Sequence, residues 1–132
     1  RMTDDSKFVL RWEIDNAKAF QAAEKAGPKV FYEGGFIWTA MAEKSGGKMK
    51  PTLRCGVDHS RPWKCAVNLS VRMKGYLKTA DENIIFGEDN DLWRSTQSFY
   101  WSLLGHPDYA PNNTAVIEFN VHIVYSEREG KE

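Results

Sequence analysis

The sequence predicts an all-β protein, an antiparallel β-sandwich or barrel of six to eight strands with one short helix. The main observation is a hydrophobic period of two, which places alternating side chains on opposite faces of a strand. Turn residues separate the periodic segments, as in sandwiches and barrels. There is no internal repeat, and no apolar run approaches the roughly 18 residues that a membrane span needs.

The N-terminal half carries four candidate strands. In the first, Phe8, Leu10, Trp12 and Ile14 alternate with the residues between them, which indicates a half-buried strand. The segment 17–26 is rich in Ala and Lys and is expected to form a helical turn or two. Further strands are predicted at 29–32, 36–42 and 52–57, with turns at Gly34-Gly35 and at Ser45-Gly46-Gly47.

The C-terminal half carries the two clearest strands, at 63–73 and 114–125, and each has one apolar face. The loop 58–62 is short enough for a hairpin between the strands at 52–57 and 63–73. A short strand is predicted at 84–86. The one short helix is predicted within 95–104, because Phe99, Leu103 and Leu104 are spaced for a single face and Gly105 follows.

Length and charge limit the classes of function. The chain has 132 residues, which corresponds to one domain. Lys and Arg together number 18 and so do Asp and Glu, and this balance argues against a nucleic-acid footprint. We expect residues 1–6 to be disordered or vector-derived, the domain to span residues 7–125, and residues 126–132 to form a frayed charged tail.

Candidate catalytic or metal-binding groups are sparse. His59, His106 and His122 lie on separate segments, and none has a second His or a Cys at ligand spacing. The acidic loop at 87–91 lacks the spacing of an EF-hand. No nucleophile elbow, P-loop or dinucleotide motif occurs. We therefore expect no enzyme activity, no cofactor and no metal.

The two cysteines permit two interpretations. In a hairpin centred near Ser60, Cys55 opposes Cys65 with Cβ atoms about 4.5–5.5 Å apart. That separation is slightly long for an unstrained disulfide. Two buried reduced thiols in a reducing compartment are the favoured interpretation, and a disulfide is the alternative.

An aromatic cluster near the C-terminal half is the main candidate for an exposed binding anchor. It comprises Trp93, Phe99, Tyr100 and Trp101, which are too many for one helix face and lie beside a polar loop. Exposed aromatics of this kind are common anchors at interfaces. The alternative is that all of them close one end of the sandwich.

The order of these features resembles a MATH domain, the meprin and TRAF homology fold, over residues 7–125. The opening strand 7–16 and the Gly34-Gly35 turn followed by Trp38 are similar to the first family motifs. Trp63 with the alternating apolar residues up to Met73 is similar to the family's longest strand. The remaining matches are Thr52 to Cys55, the block of Phe86, Trp93 and Phe99, and the closing strand that follows Asn112-Asn113-Thr114.

The resemblance implies an eight-stranded TRAF-like sandwich that binds short extended segments of other proteins. It implies a substrate-recognition domain of a cullin-based ubiquitin-ligase adaptor in the cytoplasm, with the nucleus as a second compartment. A cullin would be reached only through a BTB domain, which is not in this chain. No nucleic acid and no membrane are expected as partners. Carried over by position, the peptide groove falls on Thr52, Arg54, Asn68, Ser70, Phe86, Asp91, Trp93 and Ser95.

This chain departs from the family pattern within the groove. Leu92 separates Asp91 from Trp93, Arg94 replaces the family glycine, and Ser95 replaces an aromatic residue. The groove is therefore more polar than in the family. Arg54, Arg72 and the acidic loop are expected to select charged segments rather than Ser/Thr-rich ones.

Two other classes of protein compete with this interpretation. The first is an extracellular sandwich, lectin-like or another ectodomain module, with a Cys55–Cys65 disulfide and a glycan on Asn112. The second is a hydrolase or isomerase on a barrel, which requires a convergent acid/base pair that the sequence does not suggest.

Overall fold

A computed structural model describes residues 2–23, 25–73 and 79–127. Within those residues the chain forms two antiparallel sheets packed face to face, so the predicted all-β sandwich is confirmed. Nine strands are present in the described part: β1 (Met2–Asp15), β2 (Lys25–Glu33), β3 (Phe36–Ser45), β4 (Lys48–Gly56), β5 (Lys64–Met73), β6 (Glu82–Gly87), β7 (Leu92–Arg94), β8 (Phe99–Tyr100) and β9 (Thr114–Glu127).

The first sheet has the strand order β1-β9-β5-β6, and the second has the order β2-β3-β4-β7 with β8 also pairing with β4. The two long predicted strands, β5 and β9, are neighbours at the centre of the first sheet. The chain moves from one sheet to the other four times, between β1 and β2, between β4 and β5, between β6 and β7, and between β8 and β9.

Alternation in the sequence becomes burial in the structure. Leu10, Trp12 and Ile14 of β1 are at most 5% exposed and pack into the same core as Trp38 of the second sheet. The ring of Trp38 lies 5.8 Å from that of Phe8 and 5.9 Å from that of Phe86, both in edge-to-face geometry. These contacts join the sheets, because the rings come from β1, β3 and β6.

Two glycine pairs make the tight hairpins of the second sheet. Gly34 and Gly35 join β2 to β3 with positive φ angles of 62° and 84°. Gly46 and Gly47 join β3 to β4 with φ angles of 58° and 79°. Positive φ at both central residues is the requirement of a type I′ turn, and glycine meets it without steric strain. Both predicted turns are confirmed.

The predicted hairpin between β4 and β5 is wrong. β4 pairs with β3, β7 and β8, whereas β5 pairs with β6 and β9 in the opposite sheet. The segment between them crosses the sandwich, and the Trp63 ring packs 5.9 Å from Phe36. Loop length permits a hairpin but does not require one, and the apolar faces of both strands are buried in the same core from opposite sheets.

The predicted helix within 95–104 is also altered. Phe99–Tyr100 is a short strand, and the helical part is the 3-10 helix Trp101–Gly105. Two further 3-10 helices lie at Ala17–Ala22 and Pro111–Asn113. Pairing of Phe99 with Met49 of β4 buries Phe99 in the core, and this contact replaces the first helical turn.

The first and last strands continue past residues 7 and 125. β1 begins at Met2, and Met2 and Thr3 pair with Ser126 and Tyr125 of β9. Segment 2–6, expected to be disordered or vector-derived, therefore continues the strand. At the other end β9 includes Ser126 and Glu127, and the rest of the expected tail, 128–132, lies outside the described residues. No helix in the described residues is long and apolar enough to cross a membrane.

Candidate functional site

The eight residues predicted to line a peptide groove do not form one surface. Five of them, Thr52, Ser70, Phe86, Trp93 and Ser95, are buried, with exposures between 0% and 5%. Asn68 and Ser70 lie on β5 in the first sheet. Only Arg54 and Asp91 lie together on an exposed surface, beside β7 of the second sheet.

Trp93 and Phe86, predicted as groove aromatics, both have their side chains in the core. Phe86 is fully buried against Trp38, and Trp93 is 5% exposed. The indole Nε1 of Trp93 donates a 3.1 Å hydrogen bond to Glu82 Oε1 of β6. Trp93 therefore ties β7 to the first sheet. Of the remaining aromatic cluster, Tyr100 is the exposed member, and the side chain of Trp101 lies outside the described part of the chain.

Thr52 and Ser95 act in the local structure of β4 and β7. Thr52 Oγ1 donates to the carbonyl of Met41, at 3.4 Å. Ser95 Oγ donates to the carbonyl of Gln97 and accepts from the Gln97 amide, which turns the chain at the end of β7. Both side chains, predicted to contact a peptide, are engaged with other parts of the same chain.

Asn68 and Ser70 lie on the outer face of the first sheet, away from Arg54. There they line a polar cavity of about 500 Å³ with Arg72, Asn120 and His122 among its other residues. Asn68 Nδ2 donates to Asn83 Oδ1 at 3.1 Å, so the centre of this face is a row of hydrogen-bonding side chains. The predicted grouping of Asn68 and Ser70 with Arg54 is wrong, because β4 and β5 are in different sheets.

The remaining predicted residues, Arg54 and Asp91, form an ion pair of 2.7 Å. Arg54 is on β4, and Asp91 immediately precedes β7. The Asp91 carbonyl also accepts a 2.9 Å hydrogen bond from the Cys55 amide, which fixes the start of β7 against β4. The two side chains are 50% and 44% exposed, so water screens the pair and it contributes little to stability.

Among the described strands, β7 is at the edge of the second sheet and pairs only with β4. It pairs with β4 in the register Leu53 opposite Trp93, and the Ser95 amide donates to the Pro51 carbonyl at 3.0 Å. In an antiparallel ladder the backbone groups of alternate residues point to the same side. Asp91, Trp93 and Ser95 therefore direct their backbone groups toward β4. Those of Leu92 and Arg94 point away from the sheet, and we call them the open edge.

Leu92 and Arg94 were missed in the sequence, although they interrupt the expected family pattern. Their side chains lie on the outer face of the second sheet, opposite Arg54 and Thr52 respectively. Arg94 is 58% exposed, and its Nε lies 3.8 Å from Glu43 of β3. The available signal was the position of both residues beside Trp93, because neighbours of a buried strand residue point outward.

The histidines and cysteines give no catalytic arrangement in the residues that are described. His59 Nδ1 and His106 Nδ1 each accept a 3.1 Å hydrogen bond from a backbone amide two residues later. Burial, and then contact with the Cys65 thiol, raises the pKa of the Cys55 thiol, so it stays protonated and unreactive. Across residues 2–23, 25–73 and 79–127, no group of three or more His, Cys, Asp or Glu side chains is placed to hold a metal ion.

The two thiols meet across the core rather than across a hairpin. Cys55 opposes Trp38 within the second sheet, and Cys65 opposes Phe86 within the first. Both are fully buried and free. The predicted reason for their proximity is wrong, since the contact is made through the sandwich interior.

Comparison with known proteins adds no relative: no protein-family model matches the chain, and no curated protein matches it.

Proposed function

We propose that this domain is a protein-interaction module that binds a short extended segment of another protein along β7. The observation that carries the proposal is the open edge. Leu92 and Arg94 present backbone donors and acceptors at the side of a sheet, and such groups are the template for adding a strand. The role proposed is binding, without turnover of the bound segment.

Several contacts fix the position of β7 before a partner binds. Its inner side is fixed by the Trp93–Glu82 hydrogen bond, and its ends are fixed by hydrogen bonds to Cys55 and Pro51. A strand already ordered before binding loses little conformational entropy in the complex. The partner segment, by contrast, must be ordered, and a strand of three residues offers a small interface. We expect a dissociation constant in the micromolar range, about 1–100 μM.

The resemblance to MATH domains supports a more specific form of the proposal. In that form the bound segment belongs to a substrate, and the domain is the substrate-recognition part of a cullin-based ubiquitin-ligase adaptor. The cullin would be recruited by a separate BTB domain, and an oligomerising neighbour would raise the effective affinity through multivalency. The site would then act in the cytoplasm or the nucleus.

The proposal is tested by blocking the open edge without removing a side chain from the core. A phage-displayed random-peptide library would be selected on the wild-type domain, and the enriched peptides measured by calorimetry. Leu92→Pro removes an amide hydrogen that points away from β4, so the sheet itself keeps its hydrogen bonds. We expect this variant to weaken peptide binding at least about tenfold, the effect of losing main-chain bonds at a rigid edge.

Leu92→Val is the matched control, because it changes the side chain and keeps the amide hydrogen. It should bind the same peptides within about threefold of the wild type. NMR titration should show the largest amide shifts at Leu92 and Arg94. Equal binding by Leu92→Pro, with its fold verified by circular dichroism, would contradict docking at β7. So would shifts confined to the first sheet.

A second candidate function, an extracellular lectin-like module, is favoured by the polar cavity on the first sheet. Asn68, Asn120 and His122 offer donors and acceptors suited to hydroxyl groups. Asn112, the first residue of the glycosylation sequon Asn112-Asn113-Thr114, is exposed in the turn at Pro111–Asn113. Amide shifts at Asn68 and Asn120 on titration with mono- and disaccharides would support this function over peptide binding.

A further inference from the structure

The outer face of the second sheet is strongly cationic, although the whole chain has no net charge. β4 directs Met49, Leu53 and Cys55 into the core, so its alternate residues point outward. Two of these, Lys48 and Arg54, are exposed, and Lys50 is partly exposed. Arg94 of β7 lies opposite Thr52 in the same face, and Lys25 of β2 lies opposite Glu43. These five cations are Lys25, Lys48, Lys50, Arg54 and Arg94.

Carboxylates neutralise only part of this positive charge in the described strands of the second sheet. Glu43 lies between Lys25 and Lys50 in the register and also faces Arg94 at 3.8 Å. Asp91 pairs with Arg54 at 2.7 Å. Lys48 instead lies over the Tyr100 ring, with Nζ 5.5 Å from the ring centre. Two carboxylates for five cations leave the face beside the open edge with a positive excess.

The outer face of the first sheet has a different charge pattern. Its central carboxylate, Glu118, accepts hydrogen bonds from both Arg11 and Arg72. Arg11 also bonds to Glu13 at 3.0 Å. Arg11 and Arg72 of that face are thus paired with neighbouring carboxylates, and Lys64 lies opposite Glu127 in the register. The face that borders β7, by contrast, has two carboxylates for its five cations.

We propose that the segment bound at the open edge is acidic, with carboxylate or phosphate side chains on its outward positions. This inference rests on the proposed docking at β7 and adds the chemical class of the partner. A strand added beside β7 places every second side chain on the outer face, about 7 Å apart along the chain. Those side chains lie beside Leu92 and Arg94, and one row farther on they reach Lys50.

The same rows set a polarity for the bound segment. Asp91 lies at the Leu92 end of β7, where a second carboxylate would be repelled and an apolar side chain would contact Leu92. Beyond Arg94, β7 ends and Lys50 has no β7 side chain beside it. In the bound segment, the acidic side chains are therefore the one beside Arg94 and the next outward one, which is farther from Asp91. The side chain beside Leu92 is apolar.

Three synthetic peptides of about eight residues test the charge preference. In the three peptides Thr alternates with Glu, with Lys or with Gln. A fourth peptide has phosphoserine in place of Glu. Binding of the labelled peptides is followed by fluorescence anisotropy in low-salt buffer and in about 0.5 M salt. We expect the Glu peptide to bind about tenfold more tightly than the Gln peptide and the Lys peptide to bind most weakly. High salt should reduce the difference.

Charge reversal locates the preference on the molecule. Arg94→Glu combined with Lys50→Glu should weaken binding of the Glu peptide about tenfold and improve binding of the Lys peptide. Lys7→Glu combined with Lys64→Glu is the matched control, because it makes the same change of charge on the first sheet. The phosphoserine peptide distinguishes a phosphorylated partner from one rich in Asp and Glu by its affinity relative to the Glu peptide.

The outcomes separate the two proposals. Equal binding of the Glu, Gln and Lys peptides, all abolished by Leu92→Pro, would overturn the acidic preference and leave docking at β7 intact. An equal effect of the two double reversals would also overturn the preference, because the attraction would then be non-specific. Failure of all four peptides and of the library-selected peptides to bind would overturn both proposals.

Discussion

At the scale of single residues, Trp93 is a position that the family resemblance assigns to peptide binding and that the structure places in the core. Its ring is 5% exposed, and its Nε1 reaches Glu82 on the other sheet. Trp93→Ala should lower the free energy of unfolding by about 3–5 kcal/mol, because a large buried ring is lost and Glu82 loses a donor. Urea denaturation followed by far-ultraviolet circular dichroism measures this.

Tyr100→Ala is the control for Trp93→Ala, since the Tyr100 side chain is 55% exposed and its loss should change stability by less than about 1 kcal/mol. A Trp93→Ala variant as stable as the wild type would show that the ring does not hold the sheets together. It would then return Trp93 to the candidate binding residues.

Residue-level prediction succeeded where a physical pattern is local. The alternation Phe8, Leu10, Trp12 and Ile14 correctly gave the inward face of β1, because a strand has a fixed period of two. The pattern could not separate Trp93 from an exposed anchor. β7 is only three residues long, and alternation over so short a strand does not show which face meets the core.

At the scale of elements, Glu118 joins three strands of the first sheet. Glu118 is on β9, and its carboxylate accepts hydrogen bonds from two other strands. The donors are Arg72 of β5 and, at 3.1 Å, Nη1 of Arg11 of β1. The Arg72 guanidinium holds the pKa of the Glu118 carboxyl below its usual value, with Arg11 adding to the effect and burial opposing it. The side chain is 13% exposed, so this charge is partly shielded from water.

The lowered pKa of Glu118 gives a signed dependence of stability on pH. A carboxyl whose pKa is lower in the folded state stabilises the fold above its unfolded pKa, about 4.3, and loses that contribution as pH falls through the folded pKa. Glu118→Gln should cost about 1 kcal/mol near neutral pH, and the difference from the wild type should shrink below about pH 4.

Glu13→Gln provides the comparison for Glu118→Gln, because Glu13 is 53% exposed and its ion pair with Arg11 is open to water. It should change stability near neutral pH by less than about 0.5 kcal/mol, because the pair is exposed. Urea titrations from about pH 3 to about pH 7 test both variants. A stability difference for Glu118→Gln that stayed constant across this range would contradict an electrostatic origin.

Strand pairing was less predictable than strand position. The segments 52–57 and 63–73 were correctly expected as strands, but their pairing as a hairpin was wrong. Hydrophobic alternation specifies which side of a strand is buried, and it is equally satisfied by two strands in one sheet or facing each other across a core. The open edge depends on strand pairing too. β7 lies at the edge of the second sheet because its partner, β4, belongs to that sheet.

At the scale of the whole molecule, the pairing of β4 and β5 with different sheets places Cys55 and Cys65 face to face in the interior. Both thiols are fully buried and free, and burial raises the pKa of Cys55, so the neutral, unreactive form dominates. The two thiols act as small apolar groups in the contact between the sheets. Their oxidation state also distinguishes a domain of a reducing compartment from an extracellular domain.

A thiol titration with a colorimetric disulfide reagent on protein purified without reductant tests this arrangement. The folded domain should react slowly, because thiolate attack requires exposure of a buried group. In denaturant, two thiols per chain should react at once. Cys55→Ala should leave one thiol per chain and cost about 1–2 kcal/mol, since it removes one buried sulfur from the contact between the sheets. If the denatured wild type showed no reactive thiol, a Cys55–Cys65 disulfide would join the two sheets. The extracellular alternative would then displace the proposal of an intracellular peptide-binding domain.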